Sequence, residues 1–228
     1  MPAIDYSGNP NQRTPCVLVL DTSGSMDAIT STGKTRMAEL NAGMAALEAE
    51  LRADDTALVR VQLAIVSVGG PTNDAEIMMD WTDATEFQAF PMRADGTTPL
   101  GKGVRMALQM IEQGKQDLRA AGISYTRPWL MVISDGDPTD ATDVWSAAVS
   151  ECRAAEAAKR VEIFAIGVEG ANLASLSQLS SKPTLMLSGM KFQELFVWLS
   201  ASLSAASRSR PGDSLQLPST DPWRNVSL

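Results

Sequence analysis

The chain predicts an α/β domain in which a doubly wound, mostly parallel sheet with one antiparallel edge strand carries helices on both faces. Short apolar runs without polar alternation recur along it, as strands buried on both faces require. Between them lie stretches with apolar residues at three- and four-residue steps, the spacing of a helix with one buried face. The two patterns alternate, which is the order of strand-helix-strand units.

The first run, Cys16-Val17-Leu18-Val19-Leu20, reads as a buried strand that leads into Asp21-Thr22-Ser23-Gly24-Ser25-Met26, with Met26 at the rim of that loop. From Met37, the residues Leu40, Met44, Leu47 and Leu51 set one helical face on a core. Val59 to Val68 is a second strand, and Ala75 to Trp81 a third. The loop between them, Gly69 to Asp74, is too short for a crossover helix, so this pair should run antiparallel. A brief helix is expected over Thr82 to Phe90. Thr98 then reads as an N-cap, with Pro99 at the first helical position, before Leu100, Val104, Ala107, Leu108 and Ile111 on one helical face.

Trp129 to Ser134 is the next buried strand, closed by Asp135-Gly136-Asp137-Pro138-Thr139-Asp140, and Val144 to Ala158 an Ala-rich helix whose N-terminus Asp137 and Asp140 could cap. Val161 to Val168 is a strand, Leu173 to Leu179 a short helix, and Thr184 to Leu187 a weak strand. A helix with Phe192, Leu195, Phe196, Leu199 and Leu203 on one face completes a sheet of about six strands. From Ser207 the composition turns to Arg208, Arg210, Pro211, Gly212, Pro218 and Pro222, the mark of a tail. The expected organisation is an extension over 1–13, a domain over 14–206 and a tail over 207–228.

Composition narrows the chemistry. With 228 residues, 44% hydrophobic and 20% charged, the chain suits one large globular domain, and no stretch has the length to span a bilayer. Met1 to Pro10 has neither the basic start nor the apolar core of a secretory signal, so a cytoplasmic location is expected. Cys16 and Cys152, the only two cysteines, read as small buried thiols. The absence of histidine excludes Ser-His-Asp and Cys-His catalysis and the common zinc sites. A net charge of −8 argues against a grip on nucleic-acid phosphates. Carboxylates, hydroxyls, lysine or a bound metal must carry any function.

Three places supply oxygen donors: Asp21, Ser23 and Ser25 after the first strand, Thr98 before a helix, and Asp135 after the strand Trp129 to Ser134. Oxygen donors at strand ends suit a hard divalent cation such as Mg²⁺. In a doubly wound sheet ligands gather at the carboxyl ends of strands where the chain order reverses, so the loops of Asp21 and Asp135 can meet there. Taken singly, each group has a plainer reading: Asx- and Ser-type turns for Asp21 to Ser25, a helix cap for Thr98, a turn dipeptide for Asp135-Gly136.

Asp21-x-Ser23-x-Ser25, Thr98 in Gly-Thr-Thr-Pro-Leu-Gly and Asp135 in Ile-Ser-Asp-Gly-Asp-Pro-Thr-Asp together resemble the metal-ion-dependent adhesion site of von Willebrand factor A domains, over roughly residues 14–206. The resemblance implies a Rossmann-like fold and Mg²⁺ or Mn²⁺ held directly by Ser23, Ser25 and Thr98. Asp21 and Asp135 would act through water or hydrogen bonds, and an Asp or Glu of a protein partner would complete the shell. A narrower likeness, carried by Asp21 to Met26, Thr98 to Gly101, Arg127-Pro128-Trp129, Ser134 to Asp140, Leu217-Pro218 and Trp223, is to bacterial TerY-type proteins. It implies a tellurium-resistance or stress system with a protein kinase and a PP2C-type phosphatase as partners.

Two other readings compete. A strand followed by Asp-x-Ser, with Gly136-Asp137-x-x-Asp140 later, superficially resembles haloacid-dehalogenase-type phosphatases, but Ser23 stands where their acid-base aspartate is needed. No catalysis is therefore expected. A scaffold that binds through its tail is the other reading, with Trp223, Leu215, Leu217 and Val226 as a docking strip, although such residues more often fold back onto their own domain.

Overall fold

The computed structural model describes residues 9–135, 137–187, 191–208 and 217–220, together with the backbone of 224 and 225. Its centre is β1 (Thr14–Thr22), buried at every position. On one side β1 pairs in parallel with β2 (Val61–Gly69), and β3 (Asp74–Asp83) returns antiparallel to β2 at the edge. On the other side follow β4 (Trp129–Ser134), β5 (Glu162–Gly167) and β6 (Leu185–Leu187), all parallel. The order β3-β2-β1-β4-β5-β6 reverses between β1 and β4, as a doubly wound sheet requires. These six strands and the antiparallel edge match the sequence-based expectation. The seventh strand, β7 (Arg224–Asn225), is a two-residue addition from the tail, antiparallel to β6.

Strand alternation divides the core. Leu18 and Leu20 face α1 (Arg36–Ala53) and α6 (Phe192–Arg208), where Leu40, Met44, Leu47, Leu195, Phe196 and Leu199 are fully or almost fully buried. Val17 and Val19 face α3 (Leu100–Ala120) and α4 (Thr142–Ala157), against Val104, Ile111, Ala148 and Cys152. Each fully buried valine or leucine contributes about 1.5–3 kcal/mol on these faces. Both cysteines lie in this core, and burial pushes their thiols up, that of Cys152 to about 12.

Several local expectations are corrected. Val59 and Arg60 are not the start of a strand but the end of α2 (Asp55–Arg60), because Asp54 accepts from the amides of Thr56 and Ala57 and nucleates a turn there. Thr82 to Phe90 holds no helix. Thr82 and Asp83 remain in the ladder opposite Leu63 and Gln62, and Asp83 then accepts from the amides of Glu86 and Phe87 in a turn that seats the fully buried Phe87. The segment Leu173 to Leu179 is helical only over α5 (Leu173–Leu176). The last helix runs to Arg208, two residues beyond the expected domain end at 206. Part of the tail folds back: Leu217 packs on the core and the Pro218 carbonyl accepts from Trp198 Nε1 at 2.9 Å. Leu215 and the side chains of Trp223 and Val226 lie outside the described residues.

α1 and α6 meet closely at Gly43, where an added Cβ would lie 2.6 Å from Phe196 Cδ2 and 2.8 Å from Phe192 Cβ. Gly43→Val should therefore lower stability by about 1–3 kcal/mol in denaturant unfolding. At the opposite end of the sheet, burial pushes Glu156 up, but Ser180 Oγ at 2.7 Å, the Ser181 amide at 2.6 Å and Lys182 Nζ at 3.3 Å outweigh it and hold its carboxyl at about 2, below the ordinary 4.5. A depressed carboxyl stabilises the fold above its unfolded value and loses that contribution as pH falls through the folded one. Glu156→Gln should cost about 1 kcal/mol at pH 7. The gap in melting temperature between variant and parent should shrink as pH falls from 4.5 towards 2.

Candidate metal centre

Asp21 is the penultimate residue of β1 and has no solvent exposure. Its Oδ1 accepts from the Ser23 amide at 2.9 Å and its Oδ2 from Ser134 Oγ at 2.6 Å. The chain then closes a 3-10 turn over Gly24–Asp27, in which the Ser23 carbonyl accepts from the Met26 amide and the Ser25 carbonyl from that of Ala28. Met26 does not rim the surface; it is fully buried against the α1 side of the sheet and pins this turn to the core.

The turn brings Ser23 Oγ to 2.9 Å from Ser25 Oγ, and Ser25 Oγ in turn donates to Asp135 Oδ2. Ser23 is buried, Ser25 exposed and Asp135 half-buried, so this run of oxygens leads from the core to the surface. Asp135 follows directly on β4. Its carbonyl accepts from the Asn172 amide at 2.6 Å, while Asn172 Nδ2 donates to Asp137 at 3.0 Å.

Thr98 enters by another route. Its loop is stitched to the first one by hydrogen bonds from the Gly24 amide to the Gly96 carbonyl, 3.0 Å, and from the Asp95 amide to the Thr22 carbonyl, 2.8 Å. On the far side, the Thr98 amide donates to Thr139 Oγ1 at 3.1 Å and the Thr98 carbonyl accepts from the Thr139 amide at 2.9 Å. Among the described residues its hydroxyl bonds to none of the other four candidate groups. Gly69 makes this convergence possible: at φ +118° a Cβ would stand 2.8 Å from the Ser23 nitrogen and 2.9 Å from the Thr97 carbonyl oxygen.

Thr98 is not the cap of the following helix. The cap position falls on Pro99, and α3 receives its capping carboxylate from a distant loop: Asp140 accepts from the amides of Gly101 at 2.7 Å and Lys102 at 3.0 Å. The expectation that Asp137 and Asp140 cap α4 is corrected accordingly, since α4 starts after Ala141 without a side-chain cap. Ser134, Thr139, Asp140 and Arg36 are thus supports that sequence reading missed. Arg36 joins the Ser25 carbonyl at 3.4 Å to that of Glu169 at 2.6 Å. Only the proximity of Ser134 and Asp140 to Asp135 in sequence hinted at their part.

Burial raises the Asp21 carboxyl, and the Asp135 charge raises it further, against the hydrogen bonds from Ser134 and Ser23. No Lys or Arg among the described residues forms an ion pair with either acid. A cation beside them would relieve that repulsion. No group of three or more His, Cys, Asp or Glu that could hold a metal is present among the described residues, so the available donors are two carboxylates and neutral hydroxyls. Such an all-oxygen set fits Mg²⁺ or Mn²⁺ and does not fit a thiolate- or imidazole-seeking ion.

A mostly parallel sheet whose strand order reverses between β1 and β4, with helices on both faces, defines a Rossmann-like α/β domain. The family model described as von Willebrand factor type A domain matches residues 16–196, and the chain belongs to that family. No curated protein matches it. Among solved structures it is similar to the pilus adhesin SpaC from Lactobacillus rhamnosus GG, with 14% identity and a TM-score of 0.64 over 86% of this chain and 32% of that one. It is also similar to the D319A mutant of the PilB minor pilin from Streptococcus sanguinis, with 12% identity and a TM-score of 0.59 over 85% of this chain and 62% of that one. The chain thus spans less than two thirds of either pilus protein, and the likeness is one of fold. Among the described residues no helix is long and apolar enough to cross a membrane.

The trans cap on α3 is testable by itself. Asp140→Ala should cost about 1 kcal/mol in thermal unfolding, in the range of lost helix caps, and should speed amide exchange at Gly101 and Lys102.

Proposed function

We propose that this domain is a divalent-metal-dependent protein-binding module and not an enzyme. The observation that carries the reading is the hydrogen-bonded run Ser23, Ser25, Asp135 beside buried Asp21, at the point where the strand order reverses. Ser23, Ser25 and Thr98 present neutral hydroxyls for direct ligation. Asp21 and Asp135 orient them and balance charge, as outer carboxylates do around a metal. Bound Mg²⁺ or Mn²⁺ would offer an electron-poor position that an Asp or Glu of a partner protein can occupy. The exposed side of the site lies at Ser25, where such a side chain would approach.

The reading against catalysis rests on Asp21. Asp21 is fully buried and each of its oxygens already accepts a hydrogen bond, so it is poorly placed to attack a phosphoryl group. The fold-back of Leu217 and Pro218 favours self-packing of the tail over a docking strip. By its narrower likeness to TerY-type proteins, we place the chain in a cytoplasmic stress or tellurium-resistance system, with a protein kinase and a PP2C-type phosphatase as the first partners to test.

Titration calorimetry with MgCl₂ and MnCl₂ should show uptake near one ion per chain. Ser23→Ala combined with Asp135→Ala should weaken it by at least about tenfold while leaving the circular dichroism spectrum unchanged. Pull-down of the kinase and phosphatase should succeed in Mg²⁺ and fail in EDTA. Partner binding that ignores EDTA, or a chain that takes up neither metal, would count against the reading.

A further inference from the structure

The two edges of the sheet differ. At one edge β6 is extended by β7 from the same chain, whereas at the other no described strand pairs with the outer side of β3. That leaves the ten-residue β3 with main-chain donors and acceptors along its outer side, interrupted where its pairing with β2 slips at Met78 and at Asp80–Trp81. Ile77 and Met78, in its middle, are 37% and 43% exposed, two of the four large apolar side chains exposed to that degree among the described residues. Glu76 and Asp80 flank them, also exposed.

Charge tells what such an edge can accept. From Val61 to Met92 the chain carries Asp74, Glu76, Asp80, Asp83 and Glu86 and no lysine or arginine. Asp74 is paired with Lys102 and Asp83 with Arg13, which leaves Glu76 and Asp80 within β3, and Glu86 beyond it, without an ion-pair partner among the described residues. Two β3 edges laid against each other would bring the Glu76 and Asp80 carboxylates of one copy near those of the other, like charges that disfavour the pairing. The acids therefore discourage a second copy, as charges on natural edge strands do. The same acids favour an incoming strand rich in lysine or arginine, with apolar residues interspersed against Ile77 and Met78.

We propose that the outer edge of β3 binds an extended segment of a partner protein, alternately basic and apolar, as an eighth strand of the sheet. Main-chain pairing supplies the affinity and Glu76 and Asp80 select the charge. The surface is separate from the candidate metal centre and needs no metal.

The probe is a fluorescein-labelled peptide alternating valine with lysine, about ten residues long to match the strand, titrated against the full chain in EDTA by fluorescence polarisation. The control alternates valine with glutamate. The basic peptide should bind saturably and the acidic one should not. Glu76→Lys with Asp80→Lys should weaken the basic peptide by at least about tenfold. Ile77→Thr with Met78→Thr, both β-compatible and on the surface, should also weaken it with an unchanged melting curve. Amide exchange across 74–83 should slow when the peptide is bound, which charge adsorption alone would not produce. The proposal is overturned if the basic peptide does not bind, if either double variant binds it as the parent does, or if the β3 amides stay unprotected. Dimers in sedimentation that protect β3 would likewise overturn it in favour of a second copy.

Discussion

A carboxylate sealed at the end of the central strand is the constraint on which the rest of the site depends. Asp21 is out of reach of solvent, where an uncompensated charge is costly, and it is kept there by the Ser23 amide and the Ser134 hydroxyl. One of those bonds bends the chain out of β1 and the other fastens β1 to the end of β4. The direction of the loop that carries Ser23 and Ser25 follows from them. So does its distance from Asp135, because β1 and β4 are hydrogen-bonded neighbours in parallel register.

Around that anchor the other loops are fastened by main-chain bonds more than by side-chain packing. The Gly24 to Gly96 and Asp95 to Thr22 contacts hold the Thr98 loop against the first loop, and Thr139 holds it against the third. Asp140 reaches across to the bare amides of α3, so the segment after β4 supplies both a candidate ligand and a helix cap to another part of the chain. This mesh sets the positions of the loops around Ser23, Ser25 and Asp135. The layers beneath it are ordinary: leucine and methionine on one face of the sheet, valine and alanine on the other.

Pattern along the chain was enough for the architecture, and for a physical reason. Whether a strand is covered on both faces, and whether a helix buries one side, is written in spacings of two and of three to four residues, as in Val17 to Leu20 and in Leu40, Met44, Leu47 and Leu51. The five candidate oxygen donors came from a different signal, the clustering of Asp, Ser and Thr in the loops after β1 and β4 and before α3. Local capping was less legible. Asp54 turned Val59 and Arg60 into a helix end, and the ladder opposite Leu63 kept Thr82 and Asp83 in a strand where a helix had been expected.

What only the tertiary structure decided are the contacts between residues far apart in sequence. Nothing near Asp140 announces that it caps α3, because its two amide partners lie thirty-nine and thirty-eight positions away. Met26 gave no sign of turning inward, nor Gly69 of standing where two loops touch. For the tail, too, the particular contacts come only from the tertiary structure, with Pro218 on Trp198 and Arg224 beside Leu187. Periodicity records which side of an element is buried, whereas hydrogen bonds across the fold depend on where several elements come to rest together, and that is set by packing.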